Sequence, residues 1–220
     1  MTELLGNDAA LAAITLRTIV VSGTATGLAL LVGVPIGFAI SRRRFPGRML
    51  LLGLINTGMG MPPVVVGLVI WLLLVRSGPF GELGVIYTPT AMVLAQFLIA
   101  TPIVIGFTTA SFQALPPQLT DLLLVLGAGP VRTLWILARE AKLGLLVAVM
   151  AAFGAIVSEV GAAMIVGGNL ERSTRVLTTA IVTETSRGEV ERALALGLVL
   201  LGLSFIVNLA LTIFQQRHRA

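Results

Sequence analysis

TIVVSGTATGLALLVGVPIGFAI, residues 18–40, contains no charged side chain. A hydrocarbon layer about 30 Å thick is crossed by roughly 20 apolar residues in a helix, so this segment alone is long enough to span a bilayer. Four more stretches of the same character follow, approximately residues 50–75, 90–112, 143–166 and 193–214. All are continuous rather than alternating and about twice the length of a barrel strand, which predicts helices. Composition agrees: 56% of the 220 residues are hydrophobic, 11% are charged and the mean hydropathy is +1.01, a balance too apolar for a soluble domain. The expectation is an all-α integral membrane protein, one transmembrane unit over residues 1–220 with five spans.

Basic residues between the spans give an orientation. Arg42, Arg43, Arg44 and Arg48 lie between spans 1 and 2, Arg132, Arg139 and Lys142 between 3 and 4, and Arg217 and Arg219 in the tail. The other side holds Arg17, Arg76, Arg172, Arg175, Arg187 and Arg192. The richer side is read as cytoplasmic, placing the N-terminus outside and the C-terminus inside a multi-pass protein of the cell membrane. As a membrane anchor, the Arg42–Arg48 cluster needs no nucleic-acid partner. Glu3 and Asp8 stand where a signal peptide would be positive, so span 1 is expected to remain. Residues 4–17 are read as a short helix lying on the outer surface, with Leu4, Leu5, Leu11 and Ile14 in the interface. The chain has no cysteine, and its single histidine, His218, sits in the basic tail, so no metal site is expected.

Several spans carry residues that disturb a helix. Gly33, Pro35 and Gly37 lie in span 1, Pro102 in span 3, and Pro62-Pro63 in span 2 after Asn56, Thr57, Gly58 and Gly60. Prolines free backbone carbonyls, and this density of small and polar groups suits an unwound backbone lining a cavity. Thr57, Pro62 and Pro63 are therefore pathway candidates. Two small-residue frames, Gly23 with Gly27 and Gly33 with Gly37, suit close helix packing. Span 4 contains Ser158 and Glu159 and ends in Gly167-Gly168-Asn169. An acid inside an apolar run is a functional candidate by default. Glu159 is read either as structural, bonded to a neighbouring helix, or as part of a gate or pathway, with proton coupling a third option.

The roughly 30 residues between spans 3 and 4 (about 113–142) hold a second kind of signal. Pro116-Pro117 ends one segment, and the next, a helix over about 118–126 that Thr120 or Asp121 can cap, stops at Gly127, where Gly127-Ala128-Gly129-Pro130 turns into a second short helix over 131–138. An oily helix-turn-helix of this size on the cytoplasmic face suits a partner's groove. This segment resembles the cytoplasmic docking loop of ABC importer permeases, Glu-Ala-Ala, three residues, Gly, nine residues, Ile, one residue, Leu-Pro. Asp121 takes the acid position and Gly127 the glycine; Leu122 and Leu123 replace the alanines, Leu137 the Ile, and Arg139-Glu140 the Leu-Pro pair.

Pro62-Pro63 through Gly67-Leu68, Ser77-Gly78-Pro79-Phe80-Gly81, Ser158-Glu159-Val160-Gly161 with Gly167-Gly168-Asn169, and Leu177-Thr178-Thr179-Ala180-Ile181 are similar to the permeases for tungstate and molybdate, and closer to the tungstate group. The resemblance implies a type I importer permease fold with a coupling helix-turn-helix, working as a homodimer. Its other implied partners are two cytoplasmic ATPase subunits, which hold the ATP and Mg, and an outer substrate-binding protein. Asp121, Leu122, Leu123, Gly127, Ala128, Gly129 and Pro130 would then meet the ATPase. Ser158, Glu159, Gly167, Gly168 and Asn169 would join the translocation path. The outer link, about 167–192, contains a helical pattern over 174–185 closed by Arg187-Gly188; it is read either as a helix meeting the binding protein through Thr178 and Thr179 or as a plain amphipathic surface helix. The only lysine, Lys142, lies outside any Gly-x-x-x-x-Gly-Lys frame, so the chain is not expected to be the motor. Molybdate transport and a proton-coupled carrier using Glu159 are the alternative functions.

Overall fold

The computed structural model describes residues 8–43 and 45–216; Glu3, Leu4, Leu5, Arg44, Arg217, His218 and Arg219, used in the sequence reading, lie outside them. Helix α1 (Asp8–Arg42) is continuous through Pro35. The expected surface helix is therefore, over its described part, the beginning of α1 itself. Leu11 and Ile14 pack on Leu177, Ala180 and Leu196 instead of lying in the interface.

Span 2 is interrupted at Pro62-Pro63, where an unwound backbone was expected, into two helices, α2 (Arg48–Met59) and α3 (Pro63–Leu74), bent by 99°. Each is about 18 Å long, too short to cross alone. The cause is local. Pro62 precedes another proline and is extended, φ −59° and ψ 119°, while Pro63 begins α3 at a position where no amide donor is needed. Gly60 closes α2 by donating its amide to Thr57 O at 3.1 Å.

Helix α4 (Pro89–Gln113) is the central element, burying Ala91, Met92, Ala95, Ile99, Ala100 and Val104 among others. Helix α1 lies against it through Gly33 and Gly37, where an added Cβ would stand 2.7 Å from Val104 Cγ1 and 2.8 Å from Thr108 Cβ. Gly23 and Gly27 meet nothing within 4 Å, so only one of the two small-residue frames is used inside the chain.

After α4 come α5 (Pro117–Val125) and α6 (Pro130–Glu140), within two residues of the expected limits, then α7 (Lys142–Val157). Thr120 and Asp121 are not caps: the helix starts earlier, at Pro117, and both lie inside it. Span 4 is also broken. Helix α7 ends before Ser158, and after Glu159-Val160 a short α8 (Gly161–Gly167) begins. Helix α9 (Leu177–Ser186) matches the expected outer helix and stops at Arg187-Gly188, with Gly188 at φ +80°. Helix α10 (Val190–Gln216) leaves Leu194, Leu198, Leu201, Phe205 and Ile206 exposed, the surface of a lipid-facing helix. The described residues contain no strand. Helices α1, α4 and α10 are long and apolar enough to cross a membrane, and the count reaches five if the bent pairs α2–α3 and α6–α7 each form one span.

Candidate functional site

At one end of the bundle α5 and α6 form a knob. Phe112, Leu123, Leu137 and Ala141 make its buried core, with Leu115, Leu119 and Leu134 packed around them. The turn is held by Gly127 at φ +73°, a left-handed position that a side chain would strain. Ala128 N donates to Leu123 O at 2.9 Å, satisfying a carbonyl at the end of α5. With the interior filled by those groups, Leu122, Val125, Leu126, Val131 and Trp135 remain exposed, Val125 at 85% and Val131 at 80%. Arg139 stacks over Trp135, 4.7 Å from the ring centroid. Of the predicted docking residues, Asp121, Leu122, Gly127, Gly129 and Pro130 are exposed and Ala128 half-buried, but Leu123 is buried and serves the knob's own core. Sequence reasoning passed over Val125, Leu126, Val131 and Trp135; the i, i+4 spacing of Val131 and Trp135 on α6 was the signal available.

The knob is fastened to the bundle. Arg42 Nη2 donates to Phe112 O at 3.0 Å, and the rings of Phe38 and Phe112 meet edge to face at 5.3 Å between centroids.

Where α2 and α3 meet, a cleft of ≈ 240 Å³ opens. Its walls are the segment from Gly58 to Pro63, Val66, Leu98, Ile99, Pro102 and Ile103 of α4, and Ala155 of α7. The interrupted backbone at Gly60–Pro62 thus borders open space, where freed carbonyls can be solvated. Next to the cleft α3 and α8 close tightly. A Cβ on Gly67 would lie 2.6 Å from Ala162 Cα, and Gly161 abuts Val64. Each interruption gives one of these close-packed partners its direction.

The remaining pathway candidates do not converge on the cleft. Pro62 and Pro63 line it; Thr57, Ser158, Glu159, Gly167, Gly168 and Asn169 do not. Thr57 is exposed and its hydroxyl donates to Gly53 O at 2.9 Å. Ser158 Oγ donates to Gly154 O at 2.9 Å. Glu159 has a structural role of a kind different from that expected. Its Oε1 accepts the amide of Ala162 at 2.9 Å, capping the start of α8, and its carbonyl accepts from Thr178 Oγ1 at 3.0 Å. Gln96, buried in α4, donates from Nε2 to Ile156 O at 3.3 Å and ties α4 to the end of α7.

Gly167-Gly168-Asn169 forms the turn after α8. Gly167 is buried against the Met92 side chain, and Gly168 (φ +66°) lies beneath the Tyr87 ring. Asn169 (φ +50°) donates from Nδ2 to Thr183 Oγ1 at 2.7 Å and accepts from Arg175 Nε at 3.3 Å. Thr178 and Thr179 are buried. Their hydroxyls bond Glu159 O and, within the first turn of α9, Val176, so they are not presented to a partner as expected. Among the described residues no group of three His, Cys, Asp or Glu side chains could hold a metal ion.

The family model described as "Binding-protein-dependent transport system inner membrane component" matches residues 29–220. The chain is 40% identical over 212 residues to a probable anion ABC transporter permease protein of Haloferax volcanii, covering 94% of this chain and 91% of that protein. It is 38% identical over 199 residues to the tungstate uptake system permease protein TupB of Peptoclostridium acidaminophilum, covering 90% and 87%. Among solved structures, an inward-facing form of the MetNI methionine ABC transporter superposes with a TM-score of 0.73 at 18% identity, covering 96% of both chains.

Proposed function

Since the chain belongs to the family of binding-protein-dependent transport system inner membrane components and is an ABC importer permease for an anion, we propose that it forms, as a homodimer, the path for tungstate. The motor lies in a separate ATPase subunit. Two copies of that subunit, each binding ATP and Mg, would seat on the two knobs, and an outer binding protein would deliver substrate to the opposite face. The knob then faces the cytoplasm, and the start of α1 faces outward, in line with the bias of basic residues.

One observation carries this reading: an exposed apolar surface of Leu122, Val125, Leu126, Val131 and Trp135 stands on a folded, anchored hairpin. An oily patch with its own rigid base fits a groove in a partner better than it fits water. The shared base at Phe112 gives the motor a handle on α1 and α4. Closure of two ATPase subunits would press both knobs and tilt the helices around the cleft, exposing it to alternate sides.

A doubly charged oxyanion is strongly hydrated, and a passage that takes it must keep that hydration or replace part of it. The described cleft lining carries no ionisable side chain. Such a lining passes an anion without trapping it, so selection between tungstate and molybdate falls to the binding protein. The bond from the Ala162 amide to Glu159 Oε1 supports a structural role for this carboxylate over proton coupling.

The test is reconstitution with candidate ATPase and binding proteins. Tungstate uptake should require ATP, and Leu126→Asp should abolish uptake and ATPase co-purification while the permease still inserts. Normal uptake by that variant would end the assignment, and better competition by molybdate would replace the substrate.

A further inference from the structure

Helix α1 is fastened at both of its ends, and only the knob end has been used so far. At the other end Arg17 extends its guanidinium across the turn that follows α8. Nη1 donates to Arg175 O at 2.7 Å and Nη2 to Arg172 O at 3.1 Å. One residue on, Thr18 Oγ1 accepts the amide of Leu177, the first residue of α9, at 2.9 Å, and donates to Ile14 O at 2.8 Å. Thr18 is buried, as are Val176 and Leu177. Leu11 and Ile14 add apolar contact to Leu177 and Ala180. Three bonds from two adjacent residues of α1 thus hold a stretch whose carbonyls and amide have no helix of their own to satisfy them.

The position of this clamp gives it a consequence. Arg17 and Arg42 are about 38 Å apart along a continuous helix. Between them α1 is pressed on α4 at Gly33 and Gly37. At Arg42 the helix is bonded to Phe112, which lies in the core of the knob. The turn that Arg17 holds leads directly from α8, which closes on α3 beside the cleft. A push on either end therefore reaches the other through a stiff rod and two hydrogen-bonded clamps, and both clamps are made by arginines on backbone carbonyls.

We propose that Arg17, supported by Thr18, is a positioning residue for transport coupling: it transmits docking of the binding protein on the outer turn, along α1, to the ATPase seated on the knob. This rests on the assignment of the knob to an ATPase partner. Arg17 itself touches neither substrate nor nucleotide. Its guanidinium spans two carbonyls three residues apart, which a lysine ammonium on a single point of charge does less well.

The test uses the complete complex of permease, ATPase subunits and binding protein in lipid vesicles, with tungstate-loaded binding protein as the stimulus. ATPase rate is measured with and without that stimulus, beside co-purification of the ATPase subunit. Arg17→Gln should keep the ATPase subunit and the unstimulated rate but lose stimulation by roughly fivefold or more, the lower range of allosteric coupling. Arg17→Lys should recover part of it. Thr18→Val should weaken stimulation and Thr18→Ser, which keeps the hydroxyl, should restore it.

Undiminished stimulation in Arg17→Gln would overturn the proposal and leave the ATPase assignment standing. Equal loss of stimulated and unstimulated rates in both Arg17→Gln and Thr18→Val would also overturn it, because that is the mark of simple misfolding. A wild-type permease that retains no ATPase subunit would overturn the proposed function and this coupling role with it.

Discussion

The crossing of α3 and α8 is a place where one methyl group should do clear damage. In Gly67→Ala the new Cβ would lie 2.6 Å from Ala162 Cα and 3.1 Å from Ala162 Cβ. Carbon atoms rest at about 3.5–4.0 Å, so the two helices must part by roughly 1 Å. No flexible side-chain end is available to yield, because the nearer obstacle is backbone. Overpacking of this kind costs about 1–3 kcal/mol. For a chain of this length that corresponds to a fall of roughly 2–12 °C in the apparent unfolding temperature. The assay is thermal unfolding of the purified protein in detergent, beside tungstate uptake in vesicles. Gly202→Ala in α10 is the matched control, since its Cβ meets nothing within 4 Å and alanine favours a helix. It should unfold at or slightly above the wild-type temperature. Adding Ala162→Gly to Gly67→Ala removes the 3.1 Å contact but not the 2.6 Å one, so it should recover only part of the loss. If Gly67→Ala unfolded with the wild type and transported normally, the close packing of α3 on α8 beside the cleft would be refuted.

Three further outcomes follow from the same geometry. Gly127→Asp forces a side chain into φ +73° on the exposed turn of the knob; strain of about 1–3 kcal/mol should loosen that turn and abolish ATPase stimulation, with membrane insertion retained as judged by membrane fractionation. Glu159→Gln keeps an oxygen for the Ala162 amide and should leave uptake and its pH profile close to wild type, whereas Glu159→Ala should lower stability by about 0.5–2 kcal/mol in denaturant or thermal unfolding; uptake lost in Glu159→Gln but kept at lower pH in the wild type would point to proton coupling instead. Gln96→Leu removes the bond to Ile156 O and should destabilise by about 1 kcal/mol in the same unfolding assay, detectably more than Gln215→Leu near the end of α10.

The sequence by itself determined the solvent and the class of fold, because the length of an apolar run set against the thickness of a bilayer needs no partner. It also determined the knob: Pro117 opens one helix, Gly127 stops it, Pro130 opens the next, and these are local backbone constraints that act before any tertiary contact. For the same reason α9 and its stop at Gly188 were legible. Hydropathy was blind to the interruptions of spans 2 and 4. Pro62-Pro63 marked the first as a place for unwound backbone through local geometry, whereas Ser158 and Glu159 marked a polar position in span 4 without showing that a helix ends there. Only the folded chain decided that Leu123 turns inward while Leu122 stays outside, that Glu159 spends its carboxylate on α8, and that Thr178 and Thr179 are buried. It alone brought Arg17 to Arg172 and Arg175, more than 150 positions away. Such pairings depend on which helix faces lie together in three dimensions, and pattern within one helix gives only the face, never what it meets.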